Sequence, residues 1–224
     1  MLSKPSQRKK TYAATALLAA ALLTLSACGS EDGSSSVASV VDEGGNTTEQ
    51  AAIVLDQPFT KPNLVLTDTK GAKYDLRAAT KGQPTLLYFG YTHCPDVCPL
   101  TMSNIAVAKS KLPKAQQDEL KVVFVTTDPA RDTPAALASW LKGIDPQAVG
   151  LTGDFATIQA AARTVGITIE PPHKDKNGKM VSTHGTQVVA FSPKTDGGYV
   201  LYTESATVDD YIKDLPKLVQ GAKP

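Results

Sequence analysis

The chain has 224 residues, with 23 Lys and Arg against 22 Asp and Glu, a formal charge of +1 and three cysteines. Its only concentration of positive charge lies in the first ten residues, so nothing in it carries the electrostatic footprint of a nucleic-acid binder. A basic head of Lys4, Arg8, Lys9 and Lys10 precedes an apolar run from Tyr12 to Leu25. That run falls short of the roughly 20 apolar residues of a membrane-spanning helix and reads as the n- and h-regions of an export signal.

The signal closes on Leu25-Ser26-Ala27-Cys28, which resembles the lipobox of bacterial lipoproteins, where the cysteine thiol is acylated and becomes the new N-terminus. Residues 1–27 are therefore expected to be a signal peptide and Cys28 the lipidation site, holding the protein at the outer face of the cytoplasmic membrane. Residues 28–50 are dense in Gly, Ser, Thr, Asp and Glu. Such a segment buries too little apolar surface to offset its ordering entropy and is expected to be a flexible tether. Taking the four basic residues before Cys28 from the formal +1 leaves the exported part near −3.

Residues 51–224 are the size of one domain. Leu64 to Leu66 and Tyr74 to Leu76 suggest a small N-terminal hairpin across Lys70-Gly71. Pro84 to Gly90 and Lys121 to Thr127 are short apolar runs of the kind that form fully buried strands. Val188 to Phe191 and Tyr199 to Tyr202 read as a second hairpin, closed by Gly197-Gly198. Helical periodicity appears over Cys98 to Leu112, ended by Pro113, and after the Thr133-Pro134 start signal. It recurs over Phe155 to Val165, and over Val208 to Val219, where Pro216 should kink or end the helix. The order of elements predicts an α/β domain with a central mixed sheet flanked by helices. A cysteine pair between the first buried strand and its helix is the arrangement of thioredoxin-like folds.

Cys94 and Cys98 lie four residues apart, so thiols at a helix entry would face the same way one turn apart. A helix N-terminus favours thiolate over thiol, which predicts lowered pKa values for both. Once Cys28 is acylated, this pair is either a structural disulfide, a redox couple or part of a metal site. Spacing alone does not separate the last two. Asp128, at the end of the second buried strand, should share a sheet edge with the thiols. It could accept a thiol proton, contact a partner, or simply close an Asx turn, whereas Asp132 and Thr133 are expected to cap the next helix.

The block Gly90-Tyr91-Thr92-His93-Cys94-Pro95-Asp96-Val97-Cys98-Pro99 resembles the G-[YF]-T-x-C-P-D-V-C-P motif of the SCO/SenC family. Val125 to Pro134 matches the family's V-x-x-D-P-x-R-D-T-P stretch, and His184, with Pro193 nine residues on, matches the position of its third copper ligand. The resemblance implies a thioredoxin-like fold with an N-terminal β-hairpin extension. It also implies copper, as Cu(I) or Cu(II), held by Cys94, Cys98 and His184. Two thiolates and an imidazole make a soft site suited to Cu(I). His184 lies 86 residues beyond Cys98, so only tertiary folding can bring it to the pair.

The function implied is an extracytoplasmic copper chaperone that loads cytochrome c oxidase subunit II during assembly, rather than an enzyme in the usual sense. The competing function is a thiol–disulfide oxidoreductase that keeps that subunit, or another periplasmic-type copper chaperone, reduced. A peroxidase ranks last, because Thr92 stands two residues before Cys94 and not three. The chain departs from the family where Thr183 replaces the usual Asp before the histidine. His93 is expected to point away from Cys94, and His173, in a charged loop, to be solvated.

Overall fold

Strong local signals place most of the elements, and the computed structural model describes residues 50–224 of the chain. The export signal, Cys28 and nearly all of the tether lie outside the described residues. The domain begins with an edge strand, β1 (Ala52–Thr60), and the small hairpin β2 (Val65–Asp68) and β3 (Lys73–Asp75), followed by the one-turn helix α1 (Leu76–Ala79). Next come the buried strand β4 (Thr85–Gly90), helices α2 (Val97–Ser110) and α3 (Lys114–Glu119), and the buried strand β5 (Lys121–Thr126). Helix α4 (Pro134–Lys142), strand β6 (Val149–Thr152) and helix α5 (Phe155–Arg163) follow. The short hairpin of β7 (His173–Lys174) and β8 (Met180–Val181) leads to β9 (Val188–Phe191), β10 (Gly197–Tyr202) and α6 (Val208–Leu218).

Eight strands form one mixed sheet in the order β1-β10-β9-β4-β5-β6-β2-β3. The three central strands β4, β5 and β6 run parallel, and β9, β10, β1, β2 and β3 extend the sheet antiparallel on either side. This is the thioredoxin-like α/β plan with the expected hairpin extension. β4 is buried at every residue, as a strand covered on both faces must be. Its alternate side chains supply two cores. Leu86 and Tyr88 pack with Cys98, Met102, Ile105 and Phe124 on the α2 side, whereas Leu87 and Phe89 pack with Val123, Val125, Ile158 and Ala162 on the α5 side.

Helix ends follow their caps. Thr133 accepts a hydrogen bond from the Ala136 N–H with Pro134 opening α4, and Asp154 does the same for Thr157 at the start of α5. Thr207 and Asp210 form a reciprocal capping box at α6. Pro216 neither stops α6 nor shortens it by a turn: the helix continues to Leu218, held by buried Tyr211, Asp214 and Leu215. Tertiary packing there outweighs the one backbone donor that proline lacks.

Six elements have no counterpart in the sequence reading: β1, α1, α3, β6 and the short strands β7 and β8, which form where the chain reads as a charged loop around His173. β1 is an exposed edge strand interrupted by Pro58 and an irregular register between Val54 and Phe59, so it shows no clean alternation. β6 is four residues long and contains Gly150. A Cβ at Gly150 would lie 2.7 Å from Leu141 Cδ1, so that glycine serves the packing of α4.

Candidate metal and thiol site

The site lies at the carboxyl ends of β4 and β5, where α/β sheets place their functional loops. β4 ends at Gly90, and residues 91–96 form the loop that carries Cys94 into α2. Two bonds close this loop against the sheet. The Thr127 N–H donates to the Gly90 carbonyl at 2.7 Å, and the Cys94 N–H donates to the Tyr91 carbonyl at 3.2 Å. Gly90 is required by close approach, since a Cβ there would stand 2.9 Å from both Cys98 Sγ and Phe124 Cε2.

Both cysteines are free thiols. Cys94 is 7% exposed and Cys98 0%. Cys98 occupies the first turn of α2, and its N–H donates to Cys94 Sγ at 3.4 Å, so a helix-end donor is spent on the outer sulfur. The inner sulfur accepts the Tyr88 hydroxyl at 3.4 Å. Burial pushes the Cys98 thiol up to about 12, a large displacement that the hydrogen bonds from Tyr88 and the Tyr91 backbone only partly oppose. This corrects the expected lowering at Cys98: loss of hydration outweighs the helix N-terminus. The same burial, reinforced by the neighbouring Cys98, raises the Tyr88 hydroxyl, and it raises Tyr91 as well.

Asp132 is wholly buried and holds the cysteine loop to β5. Its carboxylate accepts the Thr92 N–H at 2.9 Å, the Thr92 hydroxyl at 2.5 Å and the Thr126 hydroxyl at 2.6 Å. Asp132 therefore ties the loop rather than capping α4, and Thr133 alone makes the cap. His93 is half exposed and turns toward Thr92 and Asp132, with Nδ1 3.1 Å from Thr92 Oγ1 and 3.5 Å from Asp132 Oδ1.

Asp128 is also wholly buried, so it presents no surface to a partner. Its Oδ2 accepts Arg131 Nε at 2.5 Å and the Ser182 hydroxyl at 2.7 Å, with Arg131 Nη2 on the same oxygen. Ser182 belongs to the segment that carries His184, and the Gly185 N–H donates to the Phe89 carbonyl of β4 at 2.9 Å. Half-buried His184 thus stands at the same sheet edge as the thiols. Its ring centroid is 6.1 Å from that of Tyr91, and its Nδ1 is 3.0 Å from the Gly185 carbonyl oxygen. Thr183 faces the other way, exchanging hydrogen bonds with the backbone of Glu170 at 2.6 and 3.0 Å.

Among the described residues, no three His, Cys, Asp or Glu side chains are grouped closely enough to hold a metal ion. The fold brings the two thiols together and sets His184 at the same sheet edge, ungrouped with them. His173 is exposed on β7, its Nδ1 3.4 Å from the Pro171 carbonyl, and takes no part. Tyr88, Arg131 and Ser182 were not singled out from the sequence. Alternation along β4 offers a signal for Tyr88, since it puts that side chain on the Leu86 face that α2 covers, but Arg131 and Ser182 gain their roles only from partners far away in the chain.

The family model described as SCO1/SenC matches residues 52–220. A putative copper-binding protein of Stutzerimonas stutzeri is 33% identical over 124 residues, 55% of this chain and 60% of the relative. The mitochondrial SCO2 homolog of Bos taurus is 31% identical over 150 residues, 66% of this chain and 55% of that protein. The chain thus spans little more than half the length of these curated relatives. Among solved structures, Bradyrhizobium japonicum ScoI with copper bound superposes with a TM-score of 0.59 at 30% identity, covering 71% of this chain and 99% of that one.

Proposed function

The chain belongs to the SCO1/SenC family, and on that premise we propose that it is an extracytoplasmic copper chaperone, held by acylated Cys28 at the outer face of the cytoplasmic membrane. It binds copper through Cys94, Cys98 and His184 and delivers it to the copper site of cytochrome c oxidase subunit II during assembly. The observation that carries this reading is a pair of free thiols, one in the loop after β4 and one in the first turn of α2, at the same sheet edge as His184, whose neighbour Gly185 is bonded to β4. The copper-bound relative supports it.

Copper is the cargo, and the ligand chemistry suits its reduced ion. Two sulfurs and one imidazole nitrogen are soft donors; at this edge Asp132 is taken up by three internal hydrogen bonds, and Asp128 is wholly buried with its Oδ2 on Arg131 and Ser182. Binding must displace the Cys98 proton, because the metal ligand is the thiolate. With Nδ1 of His184 turned toward the Gly185 carbonyl, the imidazole offers Nε2 to the metal. Two ligands from one loop and one from a separate segment leave the ion accessible from outside, which suits release to a partner.

A second reading is favoured by one feature of the same pair. The Cys98 N–H on Cys94 Sγ singles out the outer sulfur as the thiolate that attacks a client disulfide and expels one client thiolate. Cys98 then gives its proton to that thiolate and attacks Cys94 Sγ, which releases the second client thiol and leaves a Cys94–Cys98 disulfide. This is the arrangement of a thiol–disulfide oxidoreductase that keeps the oxidase subunit or another copper chaperone reduced. His184→Ala separates the two. In the reduced full-length chain it should weaken Cu(I) binding about tenfold or more in competition with a chromophoric chelator, and leave the dithiol reduction potential unchanged. Unaltered Cu(I) affinity would overturn the three-ligand assignment.

A further inference from the structure

Two buried aspartates on one turn, the turn between β5 and α4, each hold a different segment of the site. Asp132 takes three donors from Thr92 and Thr126 and so fixes the cysteine loop. Asp128, four residues earlier, takes the Ser182 hydroxyl at 2.7 Å and the Arg131 guanidinium, while Arg131 Nη2 also donates to Ser182 Oγ at 3.2 Å. Ser182 is 4% exposed and Asp128 0%, so the bond between them is shielded from competing water. On the other side of His184, the Gly185 N–H is bonded to Phe89 at 2.9 Å. His184 therefore sits in a backbone segment clamped two residues before it and one residue after it, with Thr183 also bonded to Glu170 and its own Nδ1 3.0 Å from the Gly185 carbonyl oxygen.

We infer that Asp128, Arg131 and Ser182 form a latch whose function is to position His184 for copper, making Ser182 and Asp128 positioning residues for metal capture. The physical reason is entropic. His184 joins no ready-made cage with the thiols, so ligation requires its side chain to reorient. With both flanks clamped, that costs little more than one rotamer. With the Ser182 clamp released, the segment before His184 would be held only through Thr183 and Glu170, away from the β5 turn, and ligation would also cost the ordering of that backbone against the site. The turn after β5 then serves as a common jig for ligands that are far apart in sequence.

This rests on the ligand set proposed above, and the test keeps the two apart. Ser182→Ala removes one hydroxyl and leaves the Asp128–Arg131 pair in place, so the chain should still fold, with a thermal midpoint lowered by a few degrees for the lost buried hydrogen bond. The reduced full-length chain, purified in detergent, is titrated with Cu(I) against a chromophoric chelator as wild type, Ser182→Ala, His184→Ala and the double variant. Ser182→Ala should weaken Cu(I) binding about tenfold with His184 present, and less than twofold without it. Asp128→Asn should behave in the same way and with the same dependence on His184. An equal loss in both backgrounds, or no loss in either, overturns the latch. If His184→Ala by itself changes nothing, the ligand assignment fails and the latch falls with it.

Discussion

Cys98 is the residue in which packing most changes the chemistry. An ordinary thiol ionises at about 8.5, but here the side chain is closed off by α2, Tyr88 and Phe124, and its pKa is pushed up to about 12. The folded state therefore holds the Cys98 proton over a range in which the unfolded chain has lost it. The sign follows directly: a raised folded pKa contributes stability that is intact below the unfolded value and is lost as the pH rises toward 12. The metal-free, reduced protein should show a falling urea midpoint between pH 8 and pH 11, and Cys98→Ser should remove part of that slope. An identical slope in Cys98→Ser would mean that the burial of this thiol carries no linkage. Tyr88 reaches the same sulfur from the strand beneath. It is legible as a buried strand residue, but its bond to Cys98 is not, because the two meet only when α2 is laid across β4.

At the level of elements, the site depends on how closely α2 lies on β4. Gly90 sets that approach: it ends β4, and the space a side chain would fill is taken by Cys98 Sγ and the Phe124 ring. Phe124 cannot retreat easily, being packed on Tyr88 at 5.9 Å and on Trp140 at 4.9 Å between ring centroids. Gly90→Ala should cost about 1–3 kcal/mol of stability by overpacking, read from the urea midpoint, and should weaken Cu(I) binding by displacing the inner sulfur. Unchanged stability would show that the helix can shift at no cost. The buried strands β4 and β5, the helices α2, α4, α5 and α6 and the hairpins β2–β3 and β9–β10 were legible because each carries a continuous local pattern. The edge strand β1 and the short β6 were not, because pairing with β10 and packing under α4 hold them, and neither leaves a period in the chain.

Taken as a whole, the protein is a domain with its chemistry on one sheet edge, preceded by a segment whose sequence reads as a lipid-anchored tether. Among the described residues, no helix is long and apolar enough to cross a membrane; attachment through Cys28 belongs to the proposed reading. Cys28→Ala should move the protein from the membrane to the soluble fraction on cell fractionation, with Cu(I) affinity retained. Persistence in the membrane fraction would remove the lipobox assignment. A tethered domain suits delivery to a membrane-bound client, since confinement to one surface raises the effective concentration of the two partners.

The reactive thiol pair was written in adjacent residues. The Cys94–Cys98 spacing, the prolines beside each cysteine and the Thr133-Pro134 helix start are read from neighbours a few positions apart, and a local rule suffices for each. The state of that chemistry was not. The Cys98 proton, the enclosure of Asp128 and the clamping of His184 arise from β4, β5, α2 and residues 182–185 meeting in space. Desolvation and hydrogen bonding sum over every atom nearby, whatever its distance along the chain. A periodic pattern can therefore announce a thiol pair, but only folding decides how tightly that pair holds its protons and how far its histidine must travel.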